Sequence, residues 1–166
     1  MKLLVISDSH RRTDRMLYAF GQCNPDAVLH LGDHISDGYE LQRRFLDVPF
    51  YMVKGNCDFQ EYEETELILS FESVKIFMTH GHIYGVKGGL KTLSDESRRI
   101  GADIALFGHT HQAVIKRANG SCVMNPGQME RHDNKRAASY GIITVNGGQF
   151  TCDLVYLPQQ LADLSR

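Results

Sequence analysis

Histidine stands out in this sequence, and its distribution points to metal chemistry. The chain contains eight histidines, and six of them form three close pairs: His30/His34, His80/His82 and His109/His111. Acidic and amide side chains occur at related places along the chain. The potential metal ligands are Asp8, His10, Asp33, Asn56, His80, His109 and His111. Carboxylate, amide and imidazole donors of this kind, without thiolate, suit divalent transition metals.

Each of these potential ligands follows shortly after the end of a predicted strand. The five strands concerned are apolar, β-branched runs at Lys2–Ser7, Ala27–Leu31, Phe50–Lys54, Val74–Thr79 and Asp103–Phe107. Loops at the carboxyl ends of neighbouring strands in an open α/β sheet converge on one crevice. Glycine stands next to most of the ligands and permits the sharp turns that such loops need. We therefore expect the seven side chains to meet at one edge of a sheet.

Taken singly, these residues also have ordinary structural explanations. Asp8 could cap a helix, Asp33 could form a turn, Asn56 could adopt a left-handed conformation and His80 could be a buried core histidine. The chain, however, carries D-x-H, G-D, G-N-C-D, H-G-H and G-H-T-H in that order, each at a strand end. Five separate coincidences would be needed to explain that series without a common site.

The remaining elements predict an α/β fold of two mixed sheets packed face to face, with helices on the outer faces. Helices are expected from Thr13 or Asp14 to before Pro25, around Gly38–Leu46 and over Leu90–Ile100. A further strand is expected at Leu67–Phe71. The later part of the chain predicts two hairpins, which turn at Asn119-Gly120 and Gly147-Gly148; their strands are Ala113–Arg117, Ser121–Met124, Gly141–Val145 and Phe150–Leu157. Residues 1–166 are expected to form a single domain.

Composition excludes several classes of protein. Of 166 residues, 18 are basic and 20 acidic, and this balance argues against tight binding of nucleic acid or of an anionic membrane surface. The opening apolar run, Leu3–Ile6, is too short for a secretory signal or a membrane span. The four cysteines are widely spaced and form no C-x-x-C pair, so reduced thiols and a cytoplasmic location are expected.

The ordered motifs resemble the five signature blocks of the calcineurin-like metallophosphoesterases over the stretch from Asp8 to His111. Within that superfamily, the short length and the later Asn125-Pro126-Gly127 most resemble the small single-domain prokaryotic phosphodiesterases, a branch that also includes a retromer-subunit scaffold. The resemblance implies a four-layer α/β/β/α sandwich and two metal ions bridged by Asp33. One ion would be held by Asp8, His10, Asp33 and His111, and the other by Asp33, Asn56, His80 and His109.

Two such ions would favour an anionic substrate. Their four positive charges exceed the two negative charges of Asp8 and Asp33, so the centre would stay positive if its histidines are neutral. A water that bridges two ions about 3.5–4 Å apart becomes a hydroxide nucleophile near neutral pH, and the ions clamp the phosphoryl oxygens. We expect manganese to be the most activating metal, with iron, cobalt, nickel or zinc as alternatives.

One position departs from the family pattern. Many members have histidine after the asparagine of the third block, where it assists the transition state or protonates the leaving oxygen, whereas this chain has Cys57. A neutral thiol is a poor acid for that purpose. His82 is the alternative acid, although a purely supporting role explains it equally well. The residues expected to act in catalysis are His82, Asn56 and Asp33, and those expected to contact substrate are Arg11 and Cys57.

Three functions remain to be weighed. The preferred one is a phosphodiesterase that hydrolyses small phosphoesters, because all seven ligand positions are retained. The main alternative is a non-catalytic protein-binding scaffold on the same fold, which would not need to keep them. A nuclease is disfavoured because the chain lacks a basic stripe for a long polyanion. The physiological substrate and the presence or absence of a homo-oligomer stay open.

Overall fold

The computed structural model describes residues 1–59, 61–118, 120–130, 137–158 and 161; these residues form ten strands and three α-helices, and all three helices lie within the first hundred residues. The helices are α1 (Thr13–Cys23), α2 (Ile35–Gln42) and α3 (Lys91–Ile100), and a short 3-10 helix spans His82–Tyr84. The strands are β1 (Lys2–Ile6), β2 (Ala27–His30), β3 (Phe50–Met52), β4 (Glu66–Phe71), β5 (Val74–Thr79), β6 (Ile104–Leu106), β7 (Val114–Ala118), β8 (Ser121–Asn125), β9 (Ser139–Asn146) and β10 (Gln149–Tyr156).

The strands form two mixed sheets of five strands each. The first sheet has the order β10-β9-β1-β2-β3, and the second has the order β4-β5-β6-β8-β7. In the first sheet β1, β2 and β3 run parallel, while β9 and β10 complete it as an antiparallel pair. In the second sheet β5, β6 and β8 run parallel, with β4 and β7 antiparallel at the two edges.

Alternation along the central strands creates a core on both faces of each sheet. In β1, Leu3 and Val5 point into the space between the sheets, whereas Leu4 and Ile6 point outward under α1 and α2. In β5, Ile76 and Met78 enter the same inner core. The outward Phe77 packs in a third cluster with Leu93 of α3 and Phe107. The layer order is therefore helix, sheet, sheet, helix, which confirms the predicted fold class.

Most of the predicted elements lie within two residues of the observed ones, and α2 is the main exception. The sequence predicted a helix over Gly38–Leu46, but α2 spans Ile35–Gln42 and contains Gly38 in its interior. A Cβ at Gly38 would stand 2.6 Å from Sδ of Met52, so the glycine lets α2 approach β3 closely. The helix begins earlier than predicted because its start depends on contacts from a distant loop, described below.

A smaller difference concerns β3, whereas a predicted hairpin turn is confirmed. Strand β3 ends at Met52 rather than at Lys54, because the amide of Lys54 bonds to the carbonyl of Glu64 outside the sheet. The turn at Gly147-Gly148 is confirmed, with positive φ angles of 56° and 80°. Of the other predicted turn, Gly120 has a φ of 81°, and Asn119 lies outside the described residues.

In the part of the chain that the structure describes, no helix is long and apolar enough to cross a membrane.

We expect the inner core to dominate stability. Ile76 is fully buried between the sheets, so Ile76→Ala should lower the free energy of unfolding by about 2–5 kcal/mol through lost burial and an unfilled cavity. Urea denaturation followed by circular dichroism measures this. Ile68 on β4 of the same sheet is 55% exposed, and Ile68→Ala is the matched control, with an expected cost below about 1 kcal/mol. Equal losses in the two variants would contradict the assignment of the core.

Candidate metal centre

The strand ends of both sheets supply the predicted ligands to a single edge of the sandwich. Loops after β1, β2 and β3 of the first sheet carry Asp8 with His10, Asp33 and Asn56, respectively. Loops after β5 and β6 of the second sheet carry the remaining histidines, His80, His109 and His111. The structure thus brings together side chains that are up to 103 residues apart in sequence, as in the pair Asp8 and His111.

Two groups of potential donor atoms form at this edge, and they share one carboxylate. In the first, one donor atom from each of Asp8, His10, Asp33 and His111 lies within 4.8 Å of the others. In the second, donor atoms of Asp33, His80 and His109 satisfy the same limit. Asn56 joins the second group, since its Oδ1 lies 3.2 Å from Nε2 of His80. Asp33 is common to both groups.

The carboxylate of Asp8 is held with one oxygen turned toward the first group. Its Oδ2 accepts hydrogen bonds from Oγ of Ser7 at 2.6 Å and from the backbone amide of His109 at 3.1 Å. Its Oδ1 lies 3.0 Å from Nε2 of His111. Because protein donors occupy Oδ2, Oδ1 is the oxygen that faces the other donor atoms.

The ring of His80 has a defined orientation. Its Nδ1 lies 2.8 Å from the carbonyl oxygen of Leu31, a pure acceptor, so Nδ1 carries the proton and donates it. In the neutral ring Nε2 is then the unprotonated atom, and it lies 3.5 Å from Oδ1 of Asp33. A histidine that binds a metal through one nitrogen commonly donates its other N–H to a carbonyl in this way.

The backbone at the candidate ligands is unusually strained. Five of them have φ angles in the left-handed region: Asp8 at 52°, His10 at 43°, Asp33 at 58°, His109 at 64° and His111 at 58°. Left-handed conformations cost roughly 1–2 kcal/mol for residues other than glycine. Such strain clusters at functional sites, where the surrounding structure enforces it. The sequence analysis assigned the sharp turns to the neighbouring glycines, whereas the ligand residues themselves make many of them.

Two glycines serve instead to let the loops approach each other closely. A Cβ at Gly55 would lie 2.2 Å from Oδ1 of Asp33 and 2.6 Å from its backbone nitrogen. A Cβ at Gly108 would lie 1.9 Å from Oγ of Ser7 and 2.8 Å from Oδ2 of Asp8. Any side chain at either position would displace one of the two carboxylates.

A buried hydrogen-bond chain behind the loop at residues 8–11 was not predicted from the sequence. The amide of Gly32 donates to Nδ1 of His30, so Nε2–H of His30 donates to Oγ of Ser9 at 3.2 Å. Ser9 in turn donates to Oδ2 of Asp37 at 2.7 Å, and this oxygen also accepts the amide of Arg11 at 2.8 Å. Burial lowers the pKa of His30 to about 4, which keeps its ring neutral. Only the placement of His30 next to a ligand loop gave a sequence signal.

Asn125 supports the loop that carries His109 and His111. Its Nδ2 donates to the carbonyl of Gly108 at 2.8 Å and to Oγ1 of Thr110 at 3.0 Å, while its Oδ1 accepts the amide of Gly127. These hydrogen bonds connect the motif Asn125-Pro126-Gly127 to the loop of the candidate site, and Asn125 is fully buried.

Opposite charges in the centre shift the pKa values of several groups. Burial works to raise the pKa of Asp33, but the hydrogen bond and charge of His80 outweigh it and hold the pKa below its usual range. Burial likewise opposes the hydrogen bond from His111, which keeps the pKa of Asp8 low. The pKa of His80 is raised, since Asp33 and Asp8 together outweigh its burial. Burial and the charge of His80 lower the pKa of His109 to about 4.

The residues predicted to contact substrate lie at the rim. Arg11 is exposed, whereas the guanidinium of Arg12 is bound in a fork to Asp14, with distances of 2.8 and 3.0 Å. Cys57 is exposed, and its amide donates to Oδ1 of Asp33 at 2.9 Å. The residue is exposed as a whole, but partial burial of its thiol and the nearby Asp33 carboxylate raise the pKa of that thiol to about 11.

His82, the predicted acid, lies beside the second donor group. Its ring centroid is 5.4 Å from that of His80 and 6.1 Å from that of His109. Its Nδ1 is buried and has no hydrogen-bond partner among the described residues. Burial and the charge of His80 lower the pKa of this imidazole.

The donor set fits a metal ion. Nε2 of His10 is buried and lacks a hydrogen-bond partner within the described ranges, although it stands among the donor atoms of the first group. Leaving a buried polar atom unpaired costs about 1–3 kcal/mol, and a bound cation would remove that cost. The oxygen and nitrogen donors suit manganese, iron, cobalt, nickel or zinc.

Comparisons with known proteins identify the family of this chain. Residues 1–148 match the sequence profile of the calcineurin-like phosphoesterase superfamily domain. A probable metallophosphoesterase of Bacillus subtilis, YsnB, is 34% identical over 154 residues, which cover 91% of this chain and 88% of that protein. The phosphodiesterase YfcE of Escherichia coli is 28% identical, with 86% and 87% covered.

Solved structures show the same fold. Vps29 of Entamoeba histolytica, in a complex with zinc, superposes with a TM-score of 0.75 over 94% of this chain and 99% of that one, at 23% sequence identity. The two-sheet sandwich and its shared edge of carboxylates and imidazoles define a class of metal-dependent phosphoesterases. This chain belongs to the calcineurin-like phosphoesterase superfamily, as its motifs predicted.

We expect Gly55→Ala to disturb the centre selectively, because the added methyl would collide with both the carboxylate and the backbone of Asp33. The affinity for Mn²⁺, measured by equilibrium dialysis, should fall about 10–100-fold, the range typical for groups that orient ligands. Gly21→Ala in α1, where nothing lies within 4 Å of the added carbon, is the control and should keep the affinity of the original protein. Unchanged affinity in Gly55→Ala would contradict the close approach.

Proposed function

We propose that this chain is a phosphodiesterase that hydrolyses small phosphoesters with the help of two divalent metal ions, and that residues 1–166 form one domain. The observation that carries the proposal is the position of Asp33, which belongs to both groups of donor atoms. Family membership and the retention of all seven candidate ligands give independent support.

In this proposal each donor group holds one ion. The first ion is bound by Asp8, His10, Asp33 and His111, and the second by Asp33, Asn56, His80 and His109. When bound, the two ions would supply an activated water for in-line attack on phosphorus and positive charge for the phosphoryl oxygens. Manganese is proposed as the most activating metal, because the donors combine hard oxygens with imidazole nitrogens.

The protein's own groups orient this chemistry. The amide of Cys57 fixes Oδ1 of Asp33, and the carbonyl of Leu31 fixes the ring of His80. Arg11 is the proposed partner of the substrate phosphate, since the guanidinium of Arg12 is already paired with Asp14. A guanidinium can bind two phosphate oxygens at once and so orient the ester.

Protonation of the leaving oxygen is the step for which the site is least well equipped. Cys57 stands where many relatives have histidine, and its raised pKa of about 11 keeps the thiol neutral near pH 7. His82 is the proposed alternative acid. Its ring centroid lies 5.4 Å from that of His80 and 6.1 Å from that of His109, beside the second donor group.

A protein-binding scaffold is the competing function. The structural similarity to Vps29, at under 25% identity, shows the fold alone and gives no preference for the enzyme. The preserved donor set favours the enzyme, because a scaffold has no need for buried, mutually oriented carboxylates and imidazoles. The phosphoesterase names of relatives up to 34% identical point in the same direction.

Metal stoichiometry tests the proposal directly. Reconstituted protein should hold two transition-metal ions per chain by elemental analysis, and chelation should abolish hydrolysis of bis-p-nitrophenyl phosphate. Asp33→Asn should weaken both ions, whereas His109→Ala and His111→Ala should each release mainly one, which makes the two histidine variants controls for each other. At most one tightly held ion in the original protein, or nearly full activity in Asp33→Asn, would refute the shared site.

Substrate preference tests the role of Cys57. A p-nitrophenolate leaves without protonation, whereas an alkoxide needs an acid, and general acid catalysis is typically worth about 10²–10⁴-fold. We therefore expect kcat/KM for aryl diesters to exceed that for alkyl monoesters by a factor in this range. Cys57→His should reduce this difference in kcat/KM, because it should raise activity on esters with poor leaving groups.

Cys57→Gln, which adds bulk without an acidic proton, is the control and should not narrow the difference. The exposure of Cys57 leaves room for either side chain. Equal activity on the two ester classes in the original protein would show that another group, His82 first, already donates the proton.

A further inference from the structure

The side chain of Asp58 has an unusual set of partners. It is buried, with 7% of its surface exposed, and its carboxylate accepts four backbone N–H groups. Its Oδ2 accepts the amides of Asp33 and Gly55, each at 2.8 Å. Its Oδ1 accepts the amides of His34 at 2.8 Å and Ile35 at 3.1 Å.

Three of these donors come from one continuous stretch at the start of α2. His34 is the residue before the helix, and its own side chain makes no capping hydrogen bond. Asp58 caps the helix from a distant loop, and its negative charge lies at the positive end of the helix dipole. The amides converge on one carboxylate because Asp33 and His34 have left-handed φ angles of 58° and 68°. Successive amides in such a conformation form a concave anion-binding surface.

The connection between the two loops is reciprocal. The side chain of Asp58 binds the backbone of Asp33, and the amide of Cys57, the residue before Asp58, binds the side chain of Asp33 at 2.9 Å. The backbone and the carboxylate of Asp33 are thereby both fixed by residues 57 and 58. The fourth amide, that of Gly55, holds the loop with Asn56 in the same arrangement.

We propose that Asp58 is the positioning residue of the centre: it holds no ion itself, and it fixes the left-handed backbone of Asp33 so that one carboxylate faces both donor groups. This inference rests on the proposed two-metal function. It differs from a general stabilising role, because three of the four amides belong to the loops that carry Asp33 and Asn56, and the fourth, that of Ile35, begins the helix that follows the Asp33 loop.

Asp58→Asn is the sharpest test, because it preserves the shape of the side chain but turns an NH₂ group toward amides that need an acceptor. We expect the affinity for both ions to fall about 10–100-fold in equilibrium dialysis. We also expect the electron paramagnetic resonance signal of two coupled Mn²⁺ ions to change. Asp103→Asn is the matched control: Asp103 also accepts a backbone amide, that of Lys75 at 2.8 Å, but at the start of β6 and on no ligand loop. It should leave the affinity and the signal unchanged.

The melting temperatures of the two variants without metal show whether a loss of metal affinity is accompanied by a loss of stability. Original metal affinities and an unchanged coupled signal in Asp58→Asn would overturn the proposal. So would equal losses of affinity in the two variants. If Asp58→Asn does not fold, amide hydrogen exchange in the metal-free original protein decides instead: the amides of Asp33, His34, Ile35 and Gly55 should be protected, and rapid exchange would refute the bonds to Asp58.

Failure of the proposed function gives a different result. If the original protein binds at most one ion, the two-metal assignment is wrong. The exchange of the four amides in the absence of metal would still report whether Asp58 organises the two loops.

Discussion

Burial of negative charge is the constraint on which the arrangement of this molecule depends. Asp8 is fully buried and Asp33 is 3% exposed, and both lie at the edge of an apolar core. An isolated buried carboxylate is very costly, so each needs hydrogen-bond donors or cations close by. Ser7 and the amide of His109 bind one carboxylate, and the amide of Cys57 binds the other. The donors come from several strand ends, so the spacing of both sheets is tied to these two side chains.

The large features of this fold follow from the sequence because they depend on local pattern. The apolar runs in Lys2–Ile6 and Val74–Thr79 predict strands that are buried on both faces, and Gly101, with a left-handed φ of 71°, ends α3. That the candidate ligands lie together could also be predicted, since loops at the carboxyl ends of neighbouring parallel strands lie at one edge of a sheet. The order of the strands in the two sheets did not follow from these patterns, because it depends on pairings between distant residues.

The finer features of the site depend on contacts that no local pattern records. The start of α2 is set by Asp58, more than twenty residues away in sequence, so the helix expected around Gly38–Leu46 was placed too late. The link from His30 through Ser9 to Asp37 connects a strand, a loop and a helix. Left-handed backbone at His109 and His111 is likewise imposed by the surroundings, since a positive φ is uncommon for any residue other than glycine. The free energy gained by burial in the core thus offsets the cost of the strained backbone at the candidate metal centre.

The division of the donors between the two sheets has a mechanical consequence. The first sheet contributes both carboxylates, and the second contributes His80, His109 and His111, so an ion bound to either group would tie one sheet to the other. Such an ion acts as a removable crosslink across the open end of the sandwich. Binding would stabilise the folded state by about 2.7 kcal/mol at a free metal concentration one hundred times the dissociation constant. The concentration of free metal would then affect how rigidly the two sheets are held together. The rate at which the sheets separate at this end would in turn determine how fast an ion dissociates.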